Sequence, residues 1–148
     1  MYQLDLPRIE RQLSYLNTCL DVLAEVQSLT RISEQFSAAR ALHVAIECVT
    51  DVGNALIDGF IMRDPGSYED IVEIMKDEGV LPTDEAEQVK RLVEYRRALV
   101  VRYTEVGKED LEQLMVLAEA LKPFSRRIER YLQQELGTDA PTFDLHTY

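Results

Sequence analysis

Hydrophobic residues recur at spacings of three and four along most of the chain, the period of an α-helix with one buried face. The first such stretch follows Asp5, a residue type that caps helix N-termini, and accommodates Pro7 in its opening turn. Its apolar positions include Ile9, Leu13, Leu16, Leu20 and Leu23. This pattern predicts a first amphipathic helix that begins at about Asp5.

A second and longer stretch with the same period predicts a helix over about residues 33–60. Its apolar positions are Leu42, Ala45, Ile46, Val49, Val52, Leu56, Ile57 and Phe60. Residues 62–66 include Pro65 and Gly66, which break the pattern.

The remainder of the chain predicts three more helices. Ser67 and Asp70 have the spacing of a capping box and open a short helix that ends at Gly79. Pro82 opens a fourth helix that is predicted to run without a break to Tyr103.

A final helix is predicted from just after Gly107 to Gly137, with a kink at Pro123. No strand pattern is present. Helices joined by short links favour an all-α fold, a four- to five-helix antiparallel up-and-down bundle. We expect one domain over residues 1–137 and a disordered tail over residues 138–148.

Composition limits the possible functions. The chain has 148 residues, 46% of them hydrophobic, and a net charge of −11. This acidity argues against binding nucleic acid over the whole surface, so we expect no DNA partner and only local contact with RNA. No apolar run is long enough to span a bilayer and the start of the chain does not resemble a signal peptide, so we expect a cytoplasmic protein with no membrane partner. Cys19 and Cys48 favour reduced, packed thiols over a metal site.

A polar stripe lies along the second predicted helix, at spacings of three and four. It consists of His43, Glu47, Asp51, Asn54 and Asp58. A solvated outer face is the simpler interpretation. The alternative is a partly buried stripe that lines a cleft or an interface. Asn54 favours this alternative slightly, because it lies between Gly53 and Ala55, and small residues there permit close approach by a neighbouring helix.

A basic segment interrupts the acidic sequence. Between positions 90 and 102, five basic residues are opposed only by Glu94. Arg96 is predicted to share a helix face with Tyr103. The arginines could form salt bridges with the polar stripe, or they could hold a phosphate group.

Four separated segments resemble the HEPN domains of the HepT type: residues 45–54, 64–70, 79–82 and 95–103. The likeness spans about residues 5–135. It implies a helical bundle that forms a homodimer, with two copies of an arginine-containing motif facing each other across a cleft. It also implies the family activity, a metal-independent endoribonuclease toxin without a cofactor. The implied partner is an MNT-type nucleotidyltransferase antitoxin, which can adenylylate the motif tyrosine.

The family motif R-x-x-x-x-H-x-Y places its arginine at Arg96 and its tyrosine, the candidate for modification, at Tyr103. Its histidine position is occupied by Val101, and the position after the arginine, usually asparagine, by Arg97. Arg97 and Arg102 are, with Arg96, the candidates for contact with RNA phosphates.

The resemblance also concerns the second helix. Asp51 and Asn54 match the polar pair that supports the family site, and Glu47 extends that supporting set. The histidine that often follows the asparagine is Ala55 here.

The absence of the motif histidine leaves three hypotheses. RNA cleavage without a metal needs groups that move protons, and valine cannot do so. The chain could be a HepT-like protein with weak or no nuclease activity, kept as a dimeric module that binds RNA, a nucleotide or a partner. It could be an active endoribonuclease toxin with a rearranged site. It could also be a structural bundle in which Arg96 bonds Asp51 or Glu47.

Overall fold

A computed structural model describes residues 3–145. Within this range the chain forms seven α-helices and no strand: α1 (Leu6–Glu25), α2 (Ile32–Gly59), α3 (Tyr68–Asp77), α4 (Thr83–Glu94), α5 (Arg96–Val100), α6 (Lys108–Ala118) and α7 (Phe124–Leu136). Two 3₁₀ turns, Glu119–Leu121 and Gly137–Asp139, follow α6 and α7. The predicted all-α fold is therefore confirmed.

Local capping fixes several of the helix ends where the sequence predicted them. The side chain of Asp5 accepts a hydrogen bond from the backbone N–H of Arg8 over 3.1 Å and opens α1. Ser67 accepts from the N–H of Asp70 in the same way and opens α3. Gly79 and Gly137 follow α3 and α7 with φ angles of +77° and +58°, in the left-handed region that favours glycine.

Two of the predicted helices are divided. The helix expected to reach Tyr103 breaks at Tyr95, so that α4 and α5 are separate. The final helix does not merely kink at Pro123 but stops before it, and Pro123 then forms the N-cap of α7. Proline cannot donate a backbone hydrogen bond, so it fits the start of a helix better than its interior.

The core lies between α1 and α2 and the helices packed against them. Its fully buried side chains include Leu13, Leu16, Leu42, Ile46 and Phe124. One hydrogen bond between polar side chains is buried with it, from Ser125 on α7 to Asn17 on α1 over 3.3 Å. This bond pairs two polar groups that would otherwise be costly to bury.

Gly53 allows α3 to approach α2 closely. A Cβ atom at this position would lie 2.5 Å from Cγ2 of Ile71 and 3.0 Å from Cε of Met75. Of the two small residues beside Asn54, Gly53 is therefore the one at which the expected close approach by a neighbouring helix occurs, whereas Ala55 lines a cavity.

The end of the described chain returns to α1. The N–H of Asp144 donates to the carboxylate of Glu10 over 3.1 Å, and Phe143 and Leu145 pack partly buried against the core. The disorder expected for residues 138–148 stays a prediction, and residues 146–148 lie outside the described range.

None of the helices in residues 3–145 has the length and apolar character needed to cross a bilayer.

Candidate functional site

Residues 96–105, called here the arginine segment, form a short helix and a turn. After the break at Tyr95, Arg96 begins α5, which has 5 residues, and the chain then turns through residues 101–105. Tyr103 therefore lies outside any helix and is 69% exposed. The expectation that Arg96 and Tyr103 share a helix face is wrong, because the helix ends at Val100.

The side chain of Arg96 is held from two sides. Its Nε donates a hydrogen bond to Oε1 of Glu47 over 2.6 Å. Its guanidinium carbon lies 4.0 Å from the ring centroid of Tyr68, in cation–π contact. Both ends of the Arg96–Glu47 ion pair are partly buried, with 25% and 31% of the side chains exposed. Within residues 3–145 the two terminal nitrogens of Arg96 make no hydrogen bond.

The polar stripe of α2 lies only partly in solvent. His43, Glu47 and Asn54 are half-buried, whereas Asp51 and Asp58 are exposed. Nε2 of His43 lies 3.5 Å from Oε1 of Glu47, the oxygen that Arg96 also contacts. The sequence left Asp51 and Glu47 as alternative partners of Arg96, and the structure shows the contact with Glu47.

The pKa of Asp51 responds to several neighbouring charges. Its pKa is raised above the usual value, chiefly because the carboxyl group is partly desolvated and then because Glu47 is near. The positive charges of Arg8 and Arg96 oppose that shift. Asp51, Asn54 and Arg8 also line a cavity of about 330 Å³ between α1 and α2.

The other arginines of the segment make no contact with Glu47 or Tyr68 within residues 3–145. Arg97 is exposed, and Arg102 contacts Glu105 over 3.5 Å at the surface. Val101 is 55% exposed, and its N–H bonds the carbonyl oxygen of Arg97 over 2.8 Å. The structure therefore brings Glu47, but not Arg97 or Arg102, to Arg96.

Two residues near this site were missed by sequence reasoning. Tyr68 was assigned only to the start of α3, and Arg8 was not singled out at all. Both come from elements far along the chain from Arg96, and helical periodicity carries no signal for contacts between such elements. Among residues 3–145 no group of three His, Cys, Asp or Glu side chains could hold a metal ion, and the expectation of a metal-free site stays a prediction.

Comparison with known proteins identifies relatives of this chain. A family model described as ribonuclease HepT-like matches residues 9–134. YutE of Bacillus subtilis (strain 168), named as a candidate RNase, is 38% identical over 138 residues, which span 93% of this chain and 96% of that protein.

Solved structures agree with this match. The structure of YutE from Bacillus subtilis, described as a cytosolic protein of unknown function, has a TM-score of 0.87 at 37% identity and covers 96% of this chain and 98% of its own. A tri-AMPylated HEPN toxin of Shewanella oneidensis, in complex with MNT antitoxin, has a TM-score of 0.61 at 19% identity over 76% of this chain and 96% of the toxin. The second likeness shows a shared fold.

Proposed function

This chain belongs to the ribonuclease HepT-like family, and from that premise we propose that it is an RNA-directed HEPN protein of the toxin–antitoxin type with weak or no endoribonuclease activity. The observation that carries the proposal is the state of Arg96. The guanidinium is fixed by Glu47 and Tyr68, while its terminal nitrogens remain without a hydrogen-bond partner in the described chain.

Such an arginine suits the binding of an RNA phosphate. A guanidinium whose Nε is already bonded to a carboxylate can still offer both terminal nitrogens to phosphate oxygens as a planar fork. Fixing the side chain beforehand lowers the entropy lost on binding. Arg97 and Arg102, on the same segment, would add positive charge along the RNA backbone.

Proton transfer is what the site lacks. A metal-free cleavage of RNA needs a base for the 2′-hydroxyl and an acid for the leaving oxygen, and Val101 supplies neither. Losing one such group costs a factor of about 10² to 10⁴ in rate. Binding of RNA, or of a nucleotide, is therefore the activity that this site supports best.

We further infer a homodimer in which two arginine segments face each other, with residues 1–137 as its HEPN domain. The segment offers exposed apolar side chains for such a contact, including Val100, Val101 and Tyr103. Tyr103, 69% exposed, would also be accessible to an MNT-type nucleotidyltransferase partner, for which the Shewanella oneidensis complex is the precedent. We place this pair in the cytoplasm.

One observation favours an active enzyme as a second candidate. His43 lies 3.5 Å from the carboxylate oxygen that Arg96 contacts, so an imidazole is available one side chain away from the arginine. A purely structural role would use the Arg96–Glu47 ion pair alone and would need no ligand.

RNA cleavage by the purified protein, with a chelator present, separates these candidates. The variants are Arg96→Ala and Val101→His, with Arg91→Ala as the control for loss of an exposed arginine. We expect little cleavage by the parent protein and a clear gain in Val101→His. RNA binding should weaken in Arg96→Ala and persist in Arg91→Ala.

Other outcomes would select the alternatives. Rapid cleavage by the parent protein that is lost in Arg96→Ala would identify an active enzyme, and loss in His43→Ala as well would identify its proton-transfer group. RNA binding that is absent, or unchanged in Arg96→Ala, would leave only the structural role.

A further inference from the structure

A cavity lies at the amino-terminal end of α1, and its lining begins on α2 one helical turn after Glu47, the partner of Arg96. It has a volume of about 330 Å³ and lies between α1 and the second half of α2. Its polar lining includes Arg8, Gln12, Asp51, Asn54 and Asp58. The volume is within the range of about 300 to 1,000 Å³ usual for small-molecule pockets. There is room for one planar base.

Five polar side chains of this cavity have no partner within the described part of the chain. Arg8, Gln12, Asp51, Asn54 and Asp58 make no side-chain hydrogen bond or ion pair within residues 3–145. Arg8, Asp51 and Asp58 are exposed and Gln12 and Asn54 are half-buried, so these groups are hydrated in the free protein and their water can be displaced by a ligand. A mixed set of donors and acceptors around one cavity is thus available to a ligand that offers the complementary set.

The charge of the cavity excludes phosphate as that ligand. Asp51 and Asp58 provide two unpaired carboxylates, Asp5 adds a third that caps α1, and Arg8 is the cation among the lining side chains. An anion would be repelled, whereas a neutral group that carries N–H donors would be attracted. In the proposed function the phosphates have their own partners on the arginine segment.

Asp51 connects the cavity to the arginine. It lies one helical turn after Glu47 on the polar stripe of α2, and Glu47 holds Arg96, so the cavity and the Arg96 site are neighbours along α2. The charges of Arg8 and Arg96 both affect the pKa of Asp51, in agreement with this placement. A nucleotide whose phosphate contacts Arg96 could therefore place its base beside Asp51.

We propose that this cavity is a guanine-binding subsite, with Asp51 as the residue that determines base preference. The inference rests on the proposed RNA or nucleotide binding. Guanine has two adjacent N–H donors, at N1 and N2, which one carboxylate can accept together. The corresponding edges of adenine, cytosine and uracil carry no two adjacent N–H donors and cannot satisfy a carboxylate in this way. Arg8, Asn54 or Gln12 would donate to O6 and N7 of the base.

Base preference in RNA binding tests this proposal. The probes are short uridine oligomers with a single central guanosine, adenosine or inosine, and inosine lacks the N2 amino group. Asp51→Asn keeps the shape of the exposed side chain but replaces an acceptor by a donor, so the fold should be unaffected. Asp64→Asn is the matched control, because Asp64 is exposed and does not line the cavity.

We expect the guanosine oligomer to bind about tenfold more tightly than the adenosine oligomer, with inosine between them. Asp51→Asn should abolish the preference and Asp64→Asn should keep it. Equal affinities for the three oligomers together with equal binding of GMP and AMP, or a preference that survives in Asp51→Asn, would overturn the subsite while leaving RNA binding intact. An equal loss of the guanosine preference in Asp64→Asn would assign the effect to net charge and would also overturn the subsite.

Titration with GMP and AMP separates RNA from a free nucleotide as the source of the base. GMP binding that depends on Asp51, without a base preference in RNA, would support the guanine subsite and assign it to free nucleotides.

Sedimentation of the same variants tests whether a second copy of the chain occupies the cavity instead. Loss of a dimer in Asp51→Asn would mean that a second copy of the chain fills the cavity, which would overturn the proposal. No binding of any oligomer or nucleotide would overturn the proposed function and this subsite together.

Discussion

The carboxylate of Glu47 and the guanidinium of Arg96, separated by 49 positions in the chain, are joined by a hydrogen bond of 2.6 Å. This bond ties α5 to the middle of α2. Because α5 has only 5 residues and no buried side chain, the bond is a main restraint on its position.

Removal of that restraint should lower stability. In Glu47→Ala we expect the free energy of unfolding to fall by about 1 kcal/mol, the lower part of the range for charge-assisted hydrogen bonds, because both side chains are partly exposed. Urea denaturation gives the change. Glu112→Ala is the control, since Glu112 faces Lys108 over 3.9 Å at an exposed position. An equal loss in both variants would contradict a restraining role for Glu47.

The contact between α2 and α3 predicts a second effect. Gly53→Val would force a branched side chain against Ile71 and Met75, where even a Cβ atom would lie 2.5 Å from a neighbour. Overpacking of this kind costs about 1 to 3 kcal/mol. Thermal unfolding should show a lower midpoint. In Gly66→Val the new Cβ would meet only Asp70, at 3.8 Å, so an equally low midpoint there would argue against the packing explanation.

The link between α2 and α3 predicts a dependence on acid. Asp70 accepts hydrogen bonds from Arg63 over 2.7 and 2.8 Å and from the N–H of Gly66 over 2.9 Å. These bonds, above all those from Arg63, lower the pKa of Asp70 to about 2. In the unfolded chain the carboxylate of Asp70 takes up a proton at a higher pH, because its pKa there is near 3.8. The contribution of Asp70 to stability is therefore full above about pH 4 and is lost as the pH falls towards 2.

Urea midpoints measured across this interval test the assignment. The difference between the parent protein and Asp70→Asn should shrink as the pH is lowered from 5 to 2. Asp64→Asn, which changes a neighbouring carboxylate, should show no such convergence. A difference that is constant with pH would assign the effect of Asp70→Asn to causes other than this carboxylate.

The two thiols should be slow to react in the folded protein. Burial is the main cause that raises the pKa of Cys19 to about 11 and that of Cys48 to about 12, so almost no thiolate is present near neutral pH. A colorimetric disulfide reagent should modify both at least about tenfold more slowly in buffer than in concentrated guanidinium chloride. Fast reaction of the native protein would show that one thiol is accessible.

Sequence reasoning was most successful where local chemistry decides the structure. Asp5, Ser67 and Gly137 mark helix ends through bonds or backbone angles within a few residues, so their roles are visible in the sequence. The break at Tyr95 has no such mark. Leu92 and Leu99 keep the helical period across it, and no glycine or proline interrupts them.

For the candidate site, the α2 stripe was predictable from spacing alone, and the pairing of Arg96 with Glu47 was one of two predicted options. The contact of Arg96 with Tyr68 and the cavity beside Arg8 were not. Each depends on how α1, α3 and α5 are placed around α2, which is set by packing of the whole core. The catalytic and RNA-binding roles of Arg96, Arg97, Arg102 and Tyr103 stay predictions.

None of residues 96–105 is buried, and of these residues Leu99 is the hydrophobic side chain that packs, partly buried, against the core. Apart from Arg96 and Leu99, folding therefore places few demands on these side chains, and Val101 is 55% exposed. A lineage could exchange a histidine for a valine at position 101, or reverse that exchange, and keep the same bundle. Gain and loss of chemistry in this protein can thus proceed by neutral drift, with selection acting on the segment separately from the scaffold.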